Sequence, residues 1–360
     1  MELANCNTRC LPVDPAHPET GLIQQAGVVL RQGGLVAFPT ETVYGLGANA
    51  LDARAVARIF VAKGRPRDNP LIVHLDSPGL LGRYIEEIPS VVPELAARFW
   101  PGPLTLVLRG GHAFPPEVTG GLGTVGVRVP GHPVALALIR AAGVPVAAPS
   151  ANASGRPSPT TAGHVLEDLA GKIELVLDGG PTGVGVESTV LDLSGPRPVI
   201  LRPGGVTRRD LEEVLGPVAV DPAVDGGAGP GDRPRSPGMK YTHYAPRAPL
   251  VLYAGPDHRQ VAAGVLAEAR RLAAGGRKVG ILAYSETAPL YHGQGYTVVV
   301  AGKRSDPGTV AAVLYDSLRR FDRLGVDVIL AEGMPPGGLG LAVMNRLYRA
   351  AGGHVVTINR

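Results

Sequence analysis

From residue 20 to residue 215 the chain alternates two patterns: stretches with apolar residues three and four apart, and short continuous apolar runs, punctuated by Gly or Pro. Such alternation commits a chain to helices layered on a sheet. Helical spacing covers 20–31, where Leu22, Ile23, Ala26 and Leu30 share a face that ends at Gly33-Gly34, and recurs over 53–62, 134–142 and 207–215. Strand-like runs fall at 35–39, 71–75, 104–108, 124–129, 145–148, 173–177, 188–193 and 199–201. Several of them follow one another without a helix, which predicts a mixed sheet. From residue 250 a second α/β series begins, with strands at 250–253, 278–284, 296–300 and 326–331 and helices at 258–274, 306–324 and 340–351. It reads as a small Rossmann-like layer structure.

The expected organisation is an N-terminal domain over 1–215, a linker over 216–248 and a C-terminal domain over 249–360. Residues 216–235 are rich in Gly, Pro and Asp with no apolar period, as in an exposed spacer. The end of that stretch differs, because Ser236 to Pro246 contains Lys240, Tyr241, His243 and Tyr244. Spacers do not ordinarily carry aromatics.

Several classes are excluded or weakened. No apolar run reaches the ~18 residues of a membrane span, and Val134–Pro149 is cut by Arg140. Met1–Asp14 has no basic and apolar leader pattern, so a cytoplasmic location with no membrane partner is expected. Cys6 and Cys10, the only cysteines, make a poor metal set, and no metal site is expected in the chain. Residues 1–215 carry 18 basic and 20 acidic side chains, a balance that weakens a generic nucleic-acid binder. Only 5 of the 35 basic residues are lysines, so a lysine inside a motif points to a need for a compact ammonium charge.

Polar residues cluster in four places beside strands, where α/β proteins place function. Pro39-Thr-Glu-Thr-Val-Tyr-Gly-Leu-Gly47 offers hydroxyls, a carboxylate and a phenol between glycines, in a ligand loop or a capped turn. Lys63-Gly-Arg65-Pro-Arg67-Asp-Asn69 sets three cations in a loop stiffened by proline. This suits a polyphosphate, although cations at a helix C-terminus also complement the dipole. Ser150-Ala-Asn152-Ala-Ser154-Gly-Arg156-Pro-Ser158 follows an apolar strand, as a pocket or a Ser/Asn-rich turn. The fourth cluster comprises Thr124 and Arg128, which share one strand face, then Glu187-Ser188-Thr189 and Arg202-Pro-Gly-Gly205 further along the chain. Arg128 is either a bidentate carboxylate clamp or one half of an edge-strand salt bridge.

Other patterns fail on context. Gly121-Leu-Gly-Thr-Val-Gly126 fits G-x-G-x-x-G but precedes a strand where a dinucleotide site needs a helix. There is no Walker loop, no H-E-x-x-H and no G-x-S-x-G. Gly337-Gly-Leu-Gly340 opens a helix after a strand, as an anion site or a plain tight turn.

Taken together, Pro39–Ala48, the Lys63-x-Arg65 loop through Asn69 and His74, and Ser150-x-Asn152 resemble the threonylcarbamoyl-AMP synthases of the YrdC-like fold. Ser236–Pro246 and the C-terminal unit resemble the long, two-domain form of that family. The resemblance implies a YrdC-like twisted mixed sheet with helices, followed by the smaller Rossmann-like domain. It implies a nucleotidyltransferase that joins L-threonine, bicarbonate and ATP into threonylcarbamoyl-AMP and pyrophosphate. Mg²⁺ would be held mainly by the phosphates, and a tRNA threonylcarbamoyl transferase machinery would be the downstream partner. By motif match, Lys63 and Arg65 are the catalytic cations on ATP, with Asn69, Thr124, Ser150, Asn152, Ser158 and Arg202 completing the nucleotide site. Thr42, His74, Arg128, the backbone at Ala148, and Ser188 are expected around L-threonine. Tyr241 or Tyr244 is expected to fold over the nucleotide.

Three rivals stand beside this reading. A carbamoyl-phosphate-using hydrogenase maturation factor shares these motifs but needs zinc-finger cysteines. A non-catalytic RNA- or nucleotide-binding module of the same fold, with at most a weak tRNA contact, is the second. A regulator that binds nucleotide without turnover is the third.

Overall fold

The computed structural model describes residues 6–225, 234–236 and 243–358. They group into two compact units. Residues 6–154, 158–224 and 234–236 form the first, and 155–157, 225 and 243–358 the second.

The first unit is built on eleven strands: β1 (Arg9–Pro12), β2 (Val36–Phe38), β3 (Gly45–Asn49), β4 (Ile72–His74), β5 (Leu104–Arg109), β6 (Thr124–Arg128), β7 (Val146–Ala147), β8 (Leu175–Asp178), β9 (Thr189–Asp192), β10 (Val199–Arg202) and β11 (Ala219–Val220). Their order in the sheet is β1-β8-β2-β3-β7-β4-β6-β5-β9-β10-β11. The pairing is mixed, as the helix-poor succession of strands predicts: β4 runs parallel to β6, while β3, β7 and β4 pair antiparallel in turn. Both β4 and β6 are interior strands.

One face of the sheet is covered by Thr20–Arg31 and Pro133–Ala142, whose Ala26, Leu30, Leu138 and Ala142 pack with Val36, Phe38 and Leu177. The larger core gathers Val56 and Ile59 of the helix Ala53–Lys63 with Leu46, Val73, Leu106 and Val127. That helix starts at Asp52, whose carboxylate accepts the amides of Arg54 and Ala55, and stops at Gly64 in the left-handed region (φ 62°). Its last residue is Lys63, so the cap places the cationic loop.

The sequence reads 216–235 as an exposed spacer, and the described part of it is not one. Val218, Ala223 and Val224 are buried, and β11 pairs with β10. Arg235 ion-pairs with Asp192 at 3.0 Å and with Asp221. The apolar residues are too few to make a period, which is why composition alone misreads the stretch.

The second unit is a five-stranded, wholly parallel sheet. It contains β12 (Leu250–Ala254), β13 (Val279–Ala283), β14 (Thr297–Val300), β15 (Val328–Glu332) and β16 (Val355–Thr357), in the order β14-β13-β15-β12-β16. The helices His258–Ala274, Pro307–Leu324 and Gly340–Ala350 make its crossovers, in keeping with a Rossmann-like layer. The Gly337–Gly340 loop closes on itself, Gly340 N–H donating to Gly337 O (2.9 Å), which favours the tight turn. No helix among the described residues is long and apolar enough to cross a membrane.

Candidate functional site

The site is best built outward from Arg128, the last residue of β6. The guanidinium is buried, which is costly unless its donors are met. Nε donates to Gly102 O (3.1 Å), and Nη1 and Nη2 both reach Thr42 Oγ1 (3.1 Å each). Nη2 also lies 2.7 Å from Glu41 Oε1. The Thr42 hydroxyl is set up for this by Thr40. Thr40 Oγ1 donates to Val43 O (2.6 Å), so at its 2.8 Å contact with Thr42 it is the acceptor. Thr42 therefore gives its proton to Thr40 and turns its lone pairs toward Arg128. Because β6 is interior, an edge-strand salt bridge is ruled out for Arg128; its ion pair faces the Pro39–Gly47 loop.

His74 is the register partner of Arg128 on parallel β4. It is buried, with Nδ1 3.2 Å from Ile72 O and its ring edge-on to Phe38. Burial, reinforced by the Arg128 charge, pushes its pKa down to about 3, so the imidazole is neutral at any ordinary pH. Ala148 donates its N–H to Ile72 O (2.9 Å), which ties it to the strand that carries His74.

Ser188, wholly buried, shares a hydrogen with Thr105 Oγ1 (2.8 Å) and takes Arg202 on both its carbonyl (3.1 Å) and its hydroxyl (3.2 Å). Arg202, expected on the nucleotide, is thus joined to Ser188, expected on threonine. Gly204 permits this approach: a Cβ there would lie 2.2 Å from Glu187 O and 2.4 Å from Thr189 N. Backbone bonds tie this cluster to the first one. Gly185 N–H donates to Thr42 O (3.1 Å), Val184 N–H to Glu41 O (2.8 Å) and Thr189 N–H to Pro103 O (3.0 Å), next to Gly102. Ser158 Oγ reaches Glu187 Oε1 at 2.5 Å.

The remaining nucleotide candidates collect at the other end of β4 and β6. The registers Ile72↔Gly126 and Val73↔Ala147, run back along the strands, set the Asn69–Pro70 turn beside Thr124 and Ser150. Thr124 and Arg128 share a face but stand about 13 Å apart at ~3.3 Å per residue. Arg65 Nη2 donates to Asn69 O (3.3 Å) and Pro70 O (3.1 Å), folding the loop over itself. Asn69 is buried, and its side-chain carbonyl has no hydrogen-bond partner among the described residues.

Lys63, read from the sequence as a compact charge for phosphate, also has a structural role. It is only 4% exposed, and its ammonium bonds the carbonyls of Ser150 and Asn152 and, at 3.4 Å, Asn152 Oδ1. Ser150 Oγ closes the same knot onto Asn152 Oδ1. The lysine thus fixes the Ser-x-Asn loop while bringing positive charge to it.

Tyr244 also departs from expectation. Its ring is buried in the second unit, 5.2 Å from the ring of Tyr315 and under Arg346, and its backbone is left-handed (φ 66°). It packs as a core residue in the place where a nucleotide lid was expected. Tyr241 lies outside the described residues. Sequence reasoning assigned nothing to Thr40, Glu41, Thr105 and Glu187; Glu41 stood in a flagged loop, but its spacing from Arg128 is visible only in three dimensions. Among the described residues no group of three or more His, Cys, Asp or Glu side chains is placed to hold a metal ion.

Comparison with known proteins places this geometry. A family model described as "Telomere recombination" matches residues 28–204, and one described as "Threonylcarbamoyl-AMP synthase, C-terminal domain" matches residues 206–352. The chain is 52% identical over 335 residues to the threonylcarbamoyl-AMP synthase of Bacillus subtilis, covering 93% of this chain and 94% of that one. It is 50% identical to the Pyrococcus abyssi protein of the same name, covering 93% and 96%. The crystal structure of P. abyssi Sua5 complexed with L-threonine superposes with a TM-score of 0.91 at 48% identity, covering 98% of this chain and 100% of that one.

Proposed function

The chain belongs to the threonylcarbamoyl-AMP synthase family, and we propose that it carries out the reaction for which the family is named. L-Threonine and bicarbonate give a carbamate with loss of water and a proton. A carbamate oxygen then attacks the α-phosphorus of ATP, the bond to the β-phosphate breaks, and pyrophosphate leaves. The activity is a nucleotidyl transfer, and its product is the donor from which a separate transferase modifies the adenosine beside the tRNA anticodon.

The observation that carries the proposal is the buried Arg128 fork, aimed by Gly102 and Thr42 beside a neutral His74. A planar cation held on two sides in a low-dielectric site suits an amino-acid carboxylate. In this reading Thr42, His74, Arg128, Ala148 O and Ser188 surround threonine. Lys63, Arg65, Asn69, Thr124, Ser150, Asn152, Ser158 and Arg202 serve ATP. No covalent nucleophile is needed, since the carbamate attacks; the chain supplies orientation and charge. Mg²⁺ would travel on the phosphates, largely water-ligated. The test is pyrophosphate release from ATP with threonine and bicarbonate omitted in turn. Release that needs both supports the reading, and release without threonine overturns it.

A further inference from the structure

We infer that Glu41 is the residue that recognises the α-ammonium group of the amino acid, side by side with Arg128 on the α-carboxylate; this rests on the synthase reading. Both Glu41 carboxylate oxygens are buried and neither has a hydrogen-bond partner among the described residues. The 2.7 Å approach of Arg128 Nη2 is an ion-pair contact outside hydrogen-bonding angles. A carboxylate has room for about four donors, and buried ones ordinarily fill it. The Glu41 side chain as a whole keeps 18% of its surface exposed against 5% for Arg128, so Glu41 is the member of the pair that lies nearer the surface. Its main chain is pinned, Glu41 O accepting Val184 N–H at 2.8 Å, so the side chain springs from a fixed point beside Arg128.

Arg128 and Glu41 therefore present a cation and an anion in contact, the electrostatic mould of a zwitterion whose two charges hang on one carbon. The ammonium supplies the donors that the carboxylate lacks. Carbamate formation then removes the positive charge and adds a negative one, so the same carboxylate that holds the reactant repels the new N-carboxylate group and turns it away.

The experiment compares two ligands by calorimetry: L-threonine and (R)-3-hydroxybutanoate, which is threonine without its amine. Glu41→Gln is expected to weaken L-threonine by about tenfold or more. Its affinity for the hydroxybutanoate should stay the same or rise, because no carboxylate then competes for Arg128. Glu41→Asp, with its charge kept, should lie between wild type and Glu41→Gln for threonine. Equal weakening of both ligands, or no weakening of threonine, overturns the inference. If it fails in that way while the wild-type chain still releases pyrophosphate with threonine and bicarbonate, the synthase reading survives. A wild-type chain that neither binds threonine nor releases pyrophosphate overturns both.

Discussion

Lys63, at the end of its helix, and Asn152, 89 positions later, are joined by the Lys63 ammonium on the Asn152 backbone carbonyl, with the amide oxygen of the same residue at 3.4 Å. One side chain thereby fastens two loops that each carry candidate nucleotide contacts.

Lys63→Ala should therefore do two things. It should abolish pyrophosphate release, and it should destabilise the first unit by about 1–3 kcal/mol, because a buried carbonyl and a half-buried one lose this donor. Arg67→Ala, in the same loop but exposed, should leave stability within about 0.5 kcal/mol. Trp100, the only tryptophan and a buried residue of the first unit, makes urea unfolding by fluorescence the natural measurement.

Arg128→Lys keeps the charge opposite Glu41 and gives up the fork. L-Threonine should bind roughly 10–100-fold more weakly, while ATP affinity changes less than about threefold. Calorimetry with each ligand separates the two; equal losses would remove Arg128 from the threonine end.

Gly204→Ala puts a methyl group where Glu187 O and Ser188 C stand, 2.2 and 2.4 Å away. Backbone must move, at a cost of about 1–3 kcal/mol or more. Ser188 should move with it, raising the KM for threonine. Unfolding and steady-state kinetics on one preparation check both, and a fully stable variant would contradict the packing.

His74 gives a pH signature. Its folded pKa near 3 lies below its ordinary 6.5, so the unfolded chain binds a proton that the folded chain refuses. Stability from this residue is fully present above about pH 6.5 and is lost as pH falls toward 3, at up to about 1.4 kcal/mol per pH unit. In His74→Gln the Trp100 unfolding curve should show that much less acid sensitivity between pH 4 and 6.

The sequence displays the layering and most elements, because apolar period and glycine stops are local. It hides β3, since Gly45-Leu-Gly-Ala-Asn49 has little strand propensity; a Cβ at Gly47 would sit 2.8 Å from Val146 Cγ1 and 2.9 Å from the Phe38 ring. There the neighbours demand glycine and the sheet imposes the strand. Motifs locate Thr42, Arg128 and Ser188, but partners are long-range facts. Nothing local says that Lys63 is buried, that Glu41 meets Arg128, or that Arg202 grips Ser188. Tyr244 follows the same rule: an aromatic in a polar stretch shows that it packs somewhere and does not show that its neighbour is Tyr315.

His74 and Arg128 hang on strands paired along both sides. A pocket built there is a rigid template, whereas one built on loops could flex to admit a different guest. Redirecting this chain to another amino acid would therefore proceed by exchanging individual side chains such as Thr42 or Ser188. Both sit on loops outside the two strands, so selectivity would be changed there with the strands left as they are.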